Sequence, residues 1–232
     1  MNRYVFRTGP ISEGDIPIMP RTAPFEKHVD QYEMWFEKYP AVYDAELQAV
    51  KALVPSRGLG LEIGVGTGRF AAPLGIKLGV EPSGRMTRTA LQRHIRVAGG
   101  VAETLPFKPA LFDFALMVTT VCFLDDILQA FQETWRVLKP EGLFITAFVD
   151  RLSFLGEIYL AHQSENVFYR DATFYSVDEI TTGMRQAGFN NFKFRQTIFK
   201  DLSEISSDEP ILSGHGRGAF VVVQGSKNPE VV

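Results

Sequence analysis

A short apolar segment, Leu59–Ile63, runs straight into Gly64-Val65-Gly66-Thr67-Gly68, and no other stretch narrows the fold as far. Gly64 and Gly66 let the backbone turn sharply and let a ligand approach the main chain. Around this loop the sequence alternates between strand and helix periods. Short apolar strands are expected at Lys77–Glu81, Ile95–Val101, Phe112–Thr119 and Leu143–Val149, with helices near Gly68–Leu74, Gly84–His94 and Asp126–Leu138 between or after them. Asp126 and Gln129 form a D-x-x-Q variant of the capping box, and Ile127, Leu128, Phe131, Trp135 and Leu138 form one apolar stripe behind it, ended by Pro140 and Gly142. Another helix opens at the capping box Ser176-Val177-Asp178-Glu179 and stops at Gly188. Two final strands, Phe192–Ile198 and Gly218–Gln224, are joined by a long polar connection, which permits an antiparallel last pairing. The pattern predicts an α/β fold: a doubly wound sheet of seven strands, mainly parallel, with an antiparallel last strand and helices on both faces. Ligands then bind at the carboxyl ends of the strands.

Residues 1–232 are expected to form a single domain in five segments. Residues 1–24 hold Pro10, Pro17, Pro20 and Pro24 and read as an irregular arm. Residues 25–54 form a helical cap split by Pro40, residues 59–149 a ligand-binding core, residues 151–173 an insertion over the carboxyl edge of the sheet, and residues 174–224 the last helix and strands. Lys and Arg number 24 against 27 Asp and Glu, so the net charge of −3 argues against a nucleic-acid partner. Arg85, Arg88, Arg93 and Arg96, the one basic cluster, read as a solvated face. A lone cysteine, Cys122, rules out an intramolecular disulfide and points to a reducing compartment. The longest uncharged apolar stretch, Ala115–Leu124, is half of what a bilayer requires, and the N-terminus has no signal-peptide pattern. A cytoplasmic protein without membrane partners is expected.

The acids around the loop set the sign of its ligand. A dinucleotide fingerprint needs glycine where Arg69 stands, and no Walker A sequence occurs. Glu62 repels a pyrophosphate but favours a cationic amino or sulfonium group. Glu81, at the end of the second strand, can accept both hydroxyl hydrogens of a ribose. After the third strand, Ala102, Glu103 and their backbone can meet an adenine edge. No metal-ligand spacing appears, and Asp125-Asp126 is explained by helix capping.

In this order the residues resemble the class I S-adenosylmethionine-dependent methyltransferases, a Rossmann-like family, and within it the type 11 group similar to ubiquinone- and menaquinone-biosynthesis enzymes. Glu62-x-Gly64-x-Gly66-x-Gly68 is similar to the family's first motif, Glu81 to its ribose acid, Ala102-Glu103-x-Leu105-Pro106-Phe107 to its adenine-side motif, Phe112-Asp113 to the start of its fourth strand, and Arg136-Val137-Leu138-Lys139-Pro140-Glu141-Gly142 to its R-x-L-K-P-G-G turn. The run Phe114–Phe123 also resembles a small prokaryotic subgroup described as possible histamine N-methyltransferases. Two positions depart from the family: Val101 stands where many relatives have Asp, and Glu141 replaces a glycine.

The resemblance implies S-adenosyl-L-methionine as cofactor, held by Glu62, Gly64, Gly66, Gly68, Glu81, Pro82, Met86, Ala102, Glu103, Thr119 and Tyr32. It implies a small-molecule methyl acceptor, an N, O or C nucleophile, and a monomer or homodimer. No residue stands out as a catalytic base; His162, Thr119 and Tyr169 are the candidates. A cofactor-binding protein without transfer activity and an NAD-dependent oxidoreductase are the alternatives. The surplus of 19 Phe over 7 Tyr and 2 Trp falls partly in segments near the cofactor, at Phe25, Phe36, Phe123, Phe148, Phe154, Phe168 and Phe174. An apolar, aromatic-lined acceptor pocket is expected.

Overall fold

The computed structural model describes residues 22–228, so the expected irregular arm lies, up to residue 21, outside the described residues. The helical cap comprises α1 (Ala23–Lys27), α2 (Val29–Lys38) and α3 (Pro40–Lys51). Pro40 opens α3 at its first position, where its missing N–H is no loss. The core then runs β1 (Gly60–Ile63), β2 (Leu78–Val80), α4 (Gly84–Gln92), β3 (Arg96–Ala98), β4 (Phe112–Val118), α5 (Ile127–Val137) and β5 (Leu138–Val149). The remainder is α6 (Phe154–Ala161), α7 (Val177–Gln186), β6 (Asn190–Thr197), β7 (Leu212–Ser213) and β8 (Phe220–Ser226).

One sheet of eight strands has the order β3-β2-β1-β4-β5-β8-β6-β7. The seven expected strands are all present, and the two-residue β7 in the polar connection adds the eighth. β1 to β5 pair in parallel, while β8 runs antiparallel between β5 and β6. Period-two alternation divides each central strand between two cores. From β4, Ala115 and Met117 join Phe131 of α5 and Met184 of α7 on one face, whereas Phe114, Leu116 and Val118 join Val42 and Val50 of α3 and Ala90 of α4 on the other. Helices therefore cover both faces. Among the described residues no helix is long and apolar enough to cross a membrane.

Local signals explain most boundaries. Asp126 accepts from the Gln129 amide at 2.9 Å, but the Gln129 side chain turns to the Glu103 carbonyl instead of completing the box. At Ser176 the reciprocal box with Glu179 is complete. The Lys227 ammonium donates to the Trp135 and Leu138 carbonyls at 2.6 and 2.7 Å, placing a cation at the carboxyl end of α5.

The helix expected at Gly68–Leu74 does not form; that stretch is a succession of turns. Pro73 has no N–H to donate to the Arg69 carbonyl four residues earlier, which a helix would require. Instead the Tyr43 hydroxyl of α3 donates to that carbonyl at 2.5 Å.

Glu141 adopts φ +64, the left-handed region that a glycine would occupy without strain. Its amide donates to the Lys227 carbonyl at 2.7 Å, a bond that any residue can make. Glu141→Gly is expected to raise stability by about 0.5–1 kcal/mol, since relief of the strain outweighs the added entropy of the unfolded chain; equilibrium urea unfolding checks it, and a destabilised variant contradicts it.

Candidate functional site

The parallel strands end together at one edge, and the loops after β1, β2, β3 and β4 converge there. Gly64, Gly66 and Gly68 have φ of 71°, 54° and 84°, so the loop after β1 winds through conformations that other residues rarely adopt. The Gly64 and Val65 amides both donate to the Val80 carbonyl, at 2.9 and 3.0 Å, which pins the loop to the end of β2. Gly68 is needed for packing: a Cβ there would come within 2.3 Å of Ile95 Cδ1. It does not border the cavity described below.

Glu81 follows β2 and faces this loop. Its carboxylate accepts from the Gly66 and Ser83 amides, both at 2.9 Å, and burial pushes its pKa up to about 7. Ser83 then caps α4 by accepting from the Met86 amide at 3.2 Å, which seats Met86 in the cavity wall. Glu62, on β1, is 2% exposed and lies behind the wall rather than in it. Its Oε2 has no hydrogen-bond partner, and burial drives its carboxyl well above the ordinary range, with Glu81 adding repulsion. A cation brought near this pair stabilises both ionised forms.

The cap is fastened by charge. Glu33 of α2 receives Arg69 at 2.5 Å and Arg93 at 2.6 Å, and Arg93 also donates to the Thr67 carbonyl at 2.7 Å. Burial alone would raise the Glu33 pKa, but the two guanidinium groups prevail and hold it below the carboxylate range. The Arg69 guanidinium also lies over the Phe36 ring, 4.8 Å from its centroid. Arg69, which breaks the dinucleotide fingerprint, thus anchors the cap, and Arg93 is drawn out of the expected solvated face. Arg85, the first of that cluster, donates to the Glu26 carbonyl of α1 at 3.3 Å.

Between cap, loops and insertion is a cavity of about 900 Å³. Of the residues expected to hold a cofactor, Tyr32, Gly64, Gly66, Glu81, Pro82, Met86, Ala102, Glu103 and Thr119 line it. Val101, one of the two positions that depart from the resemblance, lines it too. One oxygen of the Glu103 carboxylate, Oε1, accepts from the Asp125 and Asp126 amides at 2.9 and 3.4 Å, tying the loop after β3 to the loop after β4. Thr119 has φ +50, a strained state for a β-branched residue, held by its amide bond to the Ala147 carbonyl at 2.8 Å.

The end of the cavity beyond β4 is walled by aromatic rings from both the cap and the insertion. Phe25 meets Phe123 at 5.0 Å and Phe168 at 5.4 Å, Tyr32 meets Phe168 at 6.2 Å, and Tyr169 stacks on Tyr159 at 5.2 Å. Phe25, Phe36, Phe123 and Phe168 line it as expected, whereas Phe148, Phe154 and Phe174 do not. His162, one of the candidate bases, does not line the cavity. It ends α6 exposed, its ring Nδ1 at 3.1 Å from the Ile158 carbonyl, because residues four apart share a helix face and the face of Ile158 and His162 is turned to solvent. Tyr159, one position on from Ile158, is the residue that reaches the cavity.

Glu46 was not anticipated. It belongs to the buried face of α3, between Val42 and Val50, and borders the cavity at 7% exposure. The signal was available as an acid in the i, i+4 apolar stripe Val42-Glu46-Val50. Burial pushes its pKa up to about 8.

Residues 61–146 match the profile of a family described as a methyltransferase domain. An uncharacterised protein of Methanocaldococcus jannaschii is 40% identical over 203 residues, covering 88% of this chain and 98% of that protein. An uncharacterised Mycobacterium tuberculosis protein is 32% identical over 184 residues, of whose length the chain spans 65%. A solved structure from Thermotoga maritima, described as a SAM-dependent methyltransferase and possible histamine N-methyltransferase, is 52% identical with a TM-score of 0.88, covering 89% of this chain and 100% of that one.

The buried acids fix a pH dependence. Glu46 and Glu81 bind a proton more tightly folded than unfolded, where their pKa is near 4.5. The stability they allow is complete below that value and is lost as pH rises through about 7 and about 8. Urea unfolding between about pH 5.5 and about pH 8.5 should show stability falling by on the order of a few kcal/mol, with a shallower slope in Glu81→Gln. A profile that rises with pH over this window contradicts the assignment.

Proposed function

This chain belongs to the family of S-adenosylmethionine-dependent methyltransferases, and from that membership we propose that it binds S-adenosyl-L-methionine beside β1, β2 and β3 and transfers its methyl group to a small molecule held in the aromatic end of the cavity. The observation that carries this reading is the pairing of Glu81 with the Gly66 amide at the mouth of the glycine loop, in front of the unpartnered Glu62 oxygen. Glu81 lines the cavity and Glu62 lies behind its wall, so a sulfonium or amino group in the cavity has the charge that both acids favour.

In this reading Glu81 receives the ribose hydroxyls through lone pairs that the Gly66 and Ser83 amides leave open. The Gly64 and Gly66 backbone offers close approach to the methionine portion, with Tyr32 across from it: a Cβ at Gly66 would meet only the Tyr32 hydroxyl, at 3.6 Å. Pro82 and Met86 border the ribose side. Gly100, Val101 and Ala102 form the adenine side, which lacks the family's Asp and leaves recognition there to backbone groups and apolar contact. When bound, the cofactor supplies a methyl group already activated by its positive sulfur. What the chain adds is alignment of a nucleophile with that carbon for in-line displacement, and exclusion of water by the ring wall. Thr119 and Tyr169 border the space where this takes place. Burial drives the Tyr169 phenol well above its usual range, so it serves as a hydrogen-bond donor and not as a base.

Thermal unfolding tests the assignment. S-adenosylhomocysteine at about a hundred times its Kd should add about 2.7 kcal/mol, or roughly 5–10 °C in Tm, and Glu81→Ala should lose most of that shift. A shift with NAD in its place, or an undiminished shift in the variant, overturns it.

A further inference from the structure

Glu46 takes no part in holding the cofactor. Most residues assigned to the cofactor follow β1, β2 and β3, whereas Glu46 stands on α3 and lines the cavity within electrostatic reach of Tyr159 and Tyr169. Among the described residues its carboxyl forms no hydrogen bond and no ion pair, although more than nine-tenths of the residue is buried. Leaving a carboxyl dry and unmatched costs several kcal/mol in principle, and an apolar residue would extend the Val42–Val50 stripe at no such cost.

We propose that Glu46 is the acceptor-binding residue of this enzyme and that the acceptor carries a cationic amino group, received by the Glu46 carboxylate beside the Tyr159 ring. The proposal rests on the cavity being the site of methyl transfer.

Three observations support it. The Tyr159 and Tyr169 rings are stacked at 5.2 Å, and both phenols feel the Glu46 charge. Aromatic faces attract a cation and not an anion. Among the described residues that line the cavity, Glu37, Glu46, Glu81, Glu103 and Asp125 face a single cation, Lys38, whose ammonium rests over the Tyr39 ring at 4.9 Å. An anionic acceptor is repelled from such a chamber, and a neutral one leaves Glu46 unmatched. Finally, burial is the whole cause of the raised Glu46 pKa, with no neighbouring cation to offset it. An arriving ammonium supplies that missing partner and restores the ionised form.

Three probes of one shape separate the charges: phenethylamine, phenethyl alcohol and hydrocinnamate. Each is titrated against the full chain saturated with S-adenosylhomocysteine, with Tm as the readout. Phenethylamine is expected to add a further rise that the alcohol and the acid do not. Its apparent Kd should weaken by about tenfold or more in Glu46→Gln and recover in part in Glu46→Asp, while the rise due to S-adenosylhomocysteine persists in both. No rise with the amine, an equal or larger rise with the alcohol or the acid, or equal amine binding by Glu46→Gln overturns the proposal. Failure of S-adenosylhomocysteine to stabilise the wild-type chain is a separate result, which removes the methyltransferase reading itself.

Discussion

The grip of Arg69 and Arg93 on Glu33 holds the cap over the open edge of an α/β sheet, where the cap forms one wall of the cavity. Each arginine comes from the core, one from the glycine loop and one from the end of α4, and the acid comes from the cap. A charge-assisted pair with two guanidinium groups is stronger and more directional than a single surface ion pair. It fixes α2 against the loop, and with α2 come Tyr32, Trp35 and Phe36. Without that contact the carboxyl ends of β1 and β2 would face solvent, and the burial that tunes Glu62 and Glu81 would be lost.

A second constraint follows from the first. The cap leaves several buried acids in and beside the cavity, where Lys38 is the one cation among the described residues that line it. Glu46, Glu62 and Glu81 are all pushed toward the protonated form by burial. The interior is therefore poised to take up positive charge from outside the chain, at Glu46 on α3 and at the Glu62–Glu81 pair beside the glycine loop.

Much of this was legible because it depends on local chemistry. The glycine loop, the acid ending β2, the reciprocal cap at Ser176 and the seven principal strands each follow from residues close in sequence. What was not legible depends on distant partners. Gly68–Leu74 has the composition of a helix, but Pro73 removes one bond and Tyr43, 26 residues before Arg69, replaces it. His162 and Tyr159 belong to one short helix, and only the docking of α6 decides which of them meets the cavity. Glu46 stood out in its apolar stripe, yet its meaning required knowing that the stripe borders a hollow. The phenylalanine surplus was half informative: some rings wall the chamber, and Phe148, Phe154 and Phe174 fill the structure around it.

The two ends of the chamber have different origins along the chain. The end that suits the cofactor is built almost wholly from β1 to β4 and their loops, a continuous stretch. The aromatic end is assembled from what flanks that stretch, the cap before it and the insertion after β5. In the proposed reading the two halves can vary separately: a change in the cap or the insertion alters what is modified, while the donor-binding stretch stays as it is. Such a chain declares its chemistry in its middle and its diet at its margins.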